Sequence, residues 1–181
     1  PRSYTGGPDV LREIFRYFTG PIPGCLFMVV QTSETILARM VEHLSDVAPF
    51  EVKIPENKER PVEGTCYIAP FDKHMLFKKD KEGPYIEIND KAPVKGNRPS
   101  SDSLFDSVSK KFEGKMLGIL LSGVGEDGFN GVKKLKLKGA EIILQDEDTS
   151  PAWETPGIIY KSGMDVRILP PEGIAHVIQN S

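Results

Sequence analysis

Cysteine and histidine are scarce in this chain, at two and three among 181 residues. The two cysteines, Cys25 and Cys66, sit in different segments. That excludes a disulfide scaffold and reads as reduced core thiols of a cytoplasmic protein. Neither lies at a helix start beside a histidine, where a catalytic thiolate would form. His43, His74 and His176 lack metal-ligand spacing, so no metal site is expected. His43 and His176 read as surface residues, and His74 follows a strand. A basic surplus is also missing: the formal net charge is -3 and the pI about 5.7. A nucleic-acid partner, which leaves a basic footprint, is therefore not expected. No apolar run approaches the roughly 20 residues of a membrane span, and no stretch reads as a secretory signal. The chain opens on Pro1 rather than Met, which reads as a piece of a longer protein.

An ordinary hydrophobic fraction of 39% remains, enough for one domain with a substantial core. Thr5-Gly6-Gly7-Pro8 opens a helix whose apolar face is Val10, Leu11, Ile14, Phe15 and Phe18, and Gly20-Pro21 ends it. Cys25 to Val30 is a continuous apolar run, the mark of a buried parallel strand. Thr32 or Ser33 caps a helix striped by Ile36, Leu37, Met40, Val41 and Leu44. From Val47 to Ile88 short segments are split by turn signals and predict inserted antiparallel hairpins. Pro93 to Pro99 is a polar loop. Ser101 or Asp102 caps a helix that points Leu104, Phe105, Val108 and Phe112 inward. A strand at Met116 to Leu121, a helix at Gly128 to Lys138, a strand at Ile142 to Leu144, a helix at Thr155 to Lys161, a strand at Val166 to Leu169 and a helix from Pro171 follow. This alternation predicts an α/β fold: a doubly wound, mostly parallel sheet flanked by helices, with an inserted antiparallel hairpin region. Right-handed crossovers gather the loops at Gly6, Thr32, Asp127 and Asp146 at the carboxyl edge of the sheet. Such a fold also calls for an apolar strand just before Thr5.

The most informative stretch is Leu117 to Gly131, where an apolar run breaks into a glycine-rich loop around Glu126-Asp127. This is how a strand delivers a carboxylate to the rim of an α/β sheet. Gly123, Gly125 and Gly128 match the spacing of a dinucleotide fingerprint. However, the acidic pair would repel a pyrophosphate, and no Gly-Lys-Ser/Thr follows, so no nucleotide cofactor is expected. Structurally, Asp127 could simply cap the helix that follows it. The run Lys133 to Lys138 reads as a solvated helix face.

The ordered set of motifs resembles the catalytic domain of the chemotaxis receptor methylesterase (CheB) family. It comprises Thr5-Gly6-Gly7-Pro8, Val29-Val30-Gln31, Gly64 to Pro70 with His74-Met75, Asn97-Arg98-Pro99-Ser100 with Asp102, Leu121 to Gly128, Gly139-Ala140, and Gln145-Asp146-Glu147. The resemblance implies one domain over residues 1–181, in a family whose members often carry an upstream receiver domain. It implies hydrolysis of glutamyl methyl esters, and often glutamine deamidation, on chemoreceptors by a Ser-His-Asp triad. The aspartate falls on Asp127, but the serine position holds Tyr4 and the histidine position Thr32. Val124 stands where the family usually has Met, beside the oxyanion hole. A phenol of pKa about 10 is a poor nucleophile, and a threonine hydroxyl is no base at neutral pH.

The expectation is thus a hydrolytically impaired homologue that binds a chemoreceptor cytoplasmic region or related signalling partner. Its cleft would be formed by Thr5, Gly6, Gly7, His74, Arg98, Ser100, Val124 and Gly125. The alternative is an active esterase with a rearranged site, in which His74 is the base and Ser3, Ser33 or Ser100 the nucleophile. A small-molecule or nucleotide-binding module is a third and weaker reading.

Overall fold

Continuous apolar strands arise where both faces of a sheet are covered, and that is the case here. The computed structural model describes residues 7–181. It places β1 (Cys25–Met28), β2 (Glu51–Lys53) and β3 (Thr65–Ile68) in one parallel sheet of order β1-β3-β2. Next come β4 (His74–Asp80) and β5 (Gly83–Asn89), an antiparallel hairpin. The strands β6 (Leu117–Leu120), β7 (Glu141–Gln145) and β8 (Arg167–Leu169) form a second parallel sheet in that order. Side chains alternate between the faces of a strand. Cys66 and Ile68 of β3 and Ile143 of β7 therefore enter one core, while Tyr67 of β3, and Ile142 and Leu144 of β7, enter two others on the opposite side.

The first core is covered by α1 (Gly7–Arg16), α2 (Glu34–Val47) and α6 (Pro171–Gln179). Val10, Leu11, Ile14, Phe15 and Phe18 are all buried there, as their spacing predicts. Each such large apolar side chain contributes about 2 kcal/mol when removed from water. The opposite face of β6 and β7 carries α4 (Phe129–Leu137) and α5 (Glu154–Lys161). The hairpin packs with α3 (Ser101–Lys111) over Tyr67, Met75, Ile86 and Leu104. Helices on both faces of parallel sheets make this the doubly wound α/β arrangement.

Several local expectations need correcting. The region after Val47 is not all hairpins: β2 and β3 are parallel to β1, and only β4 and β5 pair antiparallel. Short strands bounded by turns look alike in sequence, and their direction is set by the long crossover that joins them. Ser100 rather than Ser101 or Asp102 caps α3, and Ser33 is the cap of α2. Ile36, read as part of the α2 stripe, is nearly half exposed, because the buried face runs through Leu37, Met40 and Leu44. Phe112 lies just past α3 and is 40% exposed, resting edge-on against Phe77. His43 is not a plain surface residue; its Nε2 is buried without a partner among the described residues. The expected strand before Thr5 lies outside the described residues.

Candidate active site

Loops that follow parallel strands gather at the carboxyl edge of their sheet; Gln31-Thr32 follows β1 in one sheet, and Gly123 to Asp127 follows β6 in the other. The two loops are joined through the segment between β5 and α3. Gln31 donates a side-chain hydrogen bond to the Pro99 carbonyl. One residue later, Ser100 donates its hydroxyl to Asp127 Oδ1 at 2.7 Å. The Thr32 loop, the Arg98-Pro99-Ser100 loop and the Asp127 loop thus form a continuous wall.

Asp127 does not cap the helix that follows it. Besides Ser100, it accepts the Ser101 amide on Oδ2 at 2.7 Å and the Asp102 amide on Oδ1 at 3.1 Å. These are otherwise unsatisfied donors at the start of α3, where a carboxylate is favoured by the helix dipole. The cap position of α4 is Gly128, in the left-handed conformation at φ 102°, with no side-chain cap of its own. Its amide donor is met by α3: Asp102 Oδ1 accepts the Gly128 amide at 3.0 Å and the Gly131 amide at 2.7 Å. The reading of Asp127 as the α4 cap is corrected accordingly, because residues 25 apart in sequence trade this role.

The glycine loop is pinned to the segment before α5. Gly123 donates its amide to the Ala152 carbonyl at 2.8 Å and accepts the Thr155 amide at 3.1 Å. Thr155 Oγ1 donates to the Gly125 carbonyl at 2.8 Å, while the Gly125 amide donates to Glu154 Oε1 at 3.2 Å. Ser122 donates its amide to Gln145 Oε1 at the end of β7 at 2.8 Å. Val124 and Gly125 are therefore held in place. With the Gly125 amide directed at a carboxylate, the loop gives no support to a nucleotide phosphate.

Arg98 spends its guanidinium inward. Nε and Nη2 grip the Asp72 carboxylate at 2.8 and 2.9 Å, and Nη1 donates to the carbonyls of Asp90 and Lys91. These hydrogen bonds from Arg98 hold the Asp72 carboxyl below the usual range. His74 is 3% exposed, with Nε2 3.2 Å from the Ala92 carbonyl and Nδ1 unpartnered among the described residues. It reaches the same segment as Arg98 but makes no hydrogen bond to Asp127. Thr32 is half-buried beside Gln31. Gly7 opens α1, while Tyr4, Thr5 and Gly6 lie outside the described residues. No group of His, Cys, Asp and Glu side chains among the described residues could hold a metal ion, and no helix among them is long and apolar enough to cross a membrane.

Three contributors went unnoticed in the sequence: Gln31 as a tether, Asp102 as the cap of α4, and Lys95 beside it. Asp102 stood within the Arg-Pro-Ser-x-Asp pattern, but nothing in its spacing tells that it serves a different helix.

A family model described as CheB methylesterase matches residues 3–178. A protein-glutamate methylesterase/protein-glutamine glutaminase of Maricaulis maris is 35% identical over 92% of this chain and 42% of its own length. One from Archaeoglobus fulgidus is 33% identical over 97% of this chain and 50% of its own. The chain therefore spans about half the length of the curated relatives it matches. The crystal structure of the Thermotoga maritima CheB methylesterase catalytic domain shares the fold, with a TM-score of 0.91 and 24% identity over 97% of this chain and 93% of that one. With the family match running almost end to end, this chain belongs to the CheB methylesterase family.

Proposed function

We propose that this domain is a hydrolytically impaired methylesterase homologue that acts by binding the glutamate-rich cytoplasmic region of a chemoreceptor or a related signalling partner. The observation that supports this most directly is the occupancy of Asp127. A triad aspartate orients an imidazole and stabilises its charged form. Here the carboxylate has three donors from the start of α3, out of about four acceptor sites. It has a structural reason to persist without a histidine. Thr32 stands where the base belongs and cannot take a proton at neutral pH, and Tyr4 stands where the serine belongs. Loss of a triad serine or histidine costs on the order of 10⁶ in rate.

Two features of the cleft support binding: the start of α1 at Gly7, since a helix N-terminus favours an anionic group, and a loop wall held by the hydrogen bonds of Ser100, Arg98 and His74. A rearranged esterase based on His74 is less well supported, since that ring is turned to Ala92.

The test pairs two measurements on the purified domain: capture by a receptor cytoplasmic fragment, and methanol release from the methylated form of that fragment. Capture with background methanol release is the expected result. Release well above background, abolished by Asp127→Ala, would overturn the impairment. A folded domain that captures no receptor would overturn the binding role.

A further inference from the structure

The tip of the segment between β5 and α3 has unusual backbone geometry. Val94 and Asn97 exchange both amide hydrogen bonds, at 3.0 and 2.9 Å, around Lys95-Gly96. Both central residues have positive φ, 50° for Lys95 and 82° for Gly96. That is the left-handed conformation required by the tightest hairpin turns, which glycine and asparagine adopt readily and lysine does not. A non-glycine residue held there is a reason to ask what its side chain does.

The Lys95 ammonium crosses to the other side of the cleft wall. It lies 3.1 Å from Asp102 Oδ2 and 3.4 Å from the Glu126 carbonyl, to which it donates. The Asp102 side chain is only 9% exposed, and its other oxygen caps α4. Oδ2 has no partner in hydrogen-bonding geometry among the described residues, so the Lys95 contact, although close, is Coulombic. A buried carboxylate left with no counter-charge would be costly. One ammonium therefore reaches two neighbours of Asp127, the carboxylate of Asp102 and the carbonyl of Glu126.

We infer that Lys95 is a positioning residue, an ionic latch that clamps the turn at Val94 to Asn97 onto the start of α4 and so fixes the Asp127 loop. The latch concerns the shape of the wall and holds whether or not the cleft hydrolyses esters. Closing it keeps the Gly128 and Gly131 amides on Asp102 and, through the shared helix start, the Ser101 and Asp102 amides on Asp127.

Hydrogen exchange on peptides covering 94–103 and 122–131 tests this without any receptor. Three variants are compared with the parent chain: Lys95→Arg keeps the charge, Lys95→Met keeps the length without it, and Lys95→Gly removes both while relaxing the turn. The expected result is about tenfold faster exchange of both peptides in Lys95→Met and Lys95→Gly, with Lys95→Arg within about twofold of the parent. Slower exchange in Lys95→Gly would show a lysine that merely occupies a strained turn and would overturn the latch. Equal effects of Lys95→Arg and Lys95→Met, or no effect of either, would also overturn it.

Discussion

Asp127 and Asp102 exchange helix starts: Asp127 accepts the Ser101 and Asp102 amides at the start of α3, and Asp102 accepts the Gly128 and Gly131 amides at the start of α4. Neither helix is capped by a carboxylate of its own approach. The two elements that wall the candidate site are thereby locked to one another, and each carboxylate is held by the helix that the other supports.

This lock sets the expected cost of breaking it. Asp127→Ala removes a partly buried cap and should destabilise the domain by about 2 kcal/mol. Asp102→Ala leaves two amides unmet and strands Lys95, and should cost about 3 kcal/mol. The double variant should lose less than the sum, since both carboxylates serve one junction. Urea unfolding of the four chains measures this. Additive losses would mean that the two caps act independently.

The close approach of α3 and α4 depends on Gly131. A methyl group there would lie 2.6 Å from Phe105 Cβ and 3.1 Å from Asp102 Cα, so it meets the base of a side chain and backbone that cannot swing aside. Alanine would ordinarily favour a helix, yet Gly131→Ala is expected to destabilise by about 2 kcal/mol through overpacking. Unchanged or raised stability in the same assay would show that the helices separate freely.

Much of this architecture can be read in the chain. The apolar run at Ile142 announces a buried strand because both its faces are covered, and the α1 stripe announces its buried side; the run at Cys25 reads the same way, yet β1 pairs only with β3 among the described strands and its residues are only part-buried. The direction of β2 and β3 was not legible, since Glu51 to Lys53 and Thr65 to Ile68 are too short to distinguish a hairpin from a crossover. The Asp127 loop could be located from its glycines and apolar approach. What Asp127 binds could not, because Ser100 to Asp102 lie in another element and their approach is a property of packing. Lys95 offered no signal at all: a lysine in a polar loop is the commonest of surface residues.

Exposed ion pairs set the response to acid. Hydrogen bonds from Arg98, Arg60 and Lys136 hold Asp72, Asp80 and Asp165 below the ordinary aspartate value of 3.8. Burial, the largest influence on Asp106, works upward but is outweighed by Lys110 and Lys134, so this carboxyl also lies low. A carboxyl with a depressed folded value contributes stability above its unfolded value, and that contribution is lost as pH falls through the folded value. The melting temperature should therefore be level from neutral pH to about 4 and decline below it. A decline that begins near pH 6 would point to histidine instead.

The two thiols should separate by reactivity. Burial raises both, Cys66 far above the ordinary range with no exposed surface, and Cys25 less so, helped by Glu63. Thiolate is the reacting form, so neither should label quickly at neutral pH. Cys25, half-buried beside the Val62 carbonyl, should react first, and Cys66 only on unfolding. Mass spectrometry after timed alkylation counts them. Equal rates in the folded protein would contradict the burial of β3.

If hydrolysis is impaired as proposed, and the impairment rests on two positions alone, activity should be recoverable on this scaffold. Thr32 follows Gln31, which is tied to Pro99, and Ser100 is tied to Asp127, so an imidazole at position 32 would enter the same wall as the retained carboxylate. Triad members act as a unit, and restoring one without the others gains almost nothing. Thr32→His and Tyr4→Ser alone should each stay within about twofold of the parent in methanol release, while the pair should exceed it by about tenfold or more. A gain from Thr32→His alone would mean that a nucleophile other than the residue at position 4 is already in place. No gain from the folded pair would mean that the wall has drifted from catalytic geometry, by a displacement on the scale of 1 Å, about enough to cost 10²-fold.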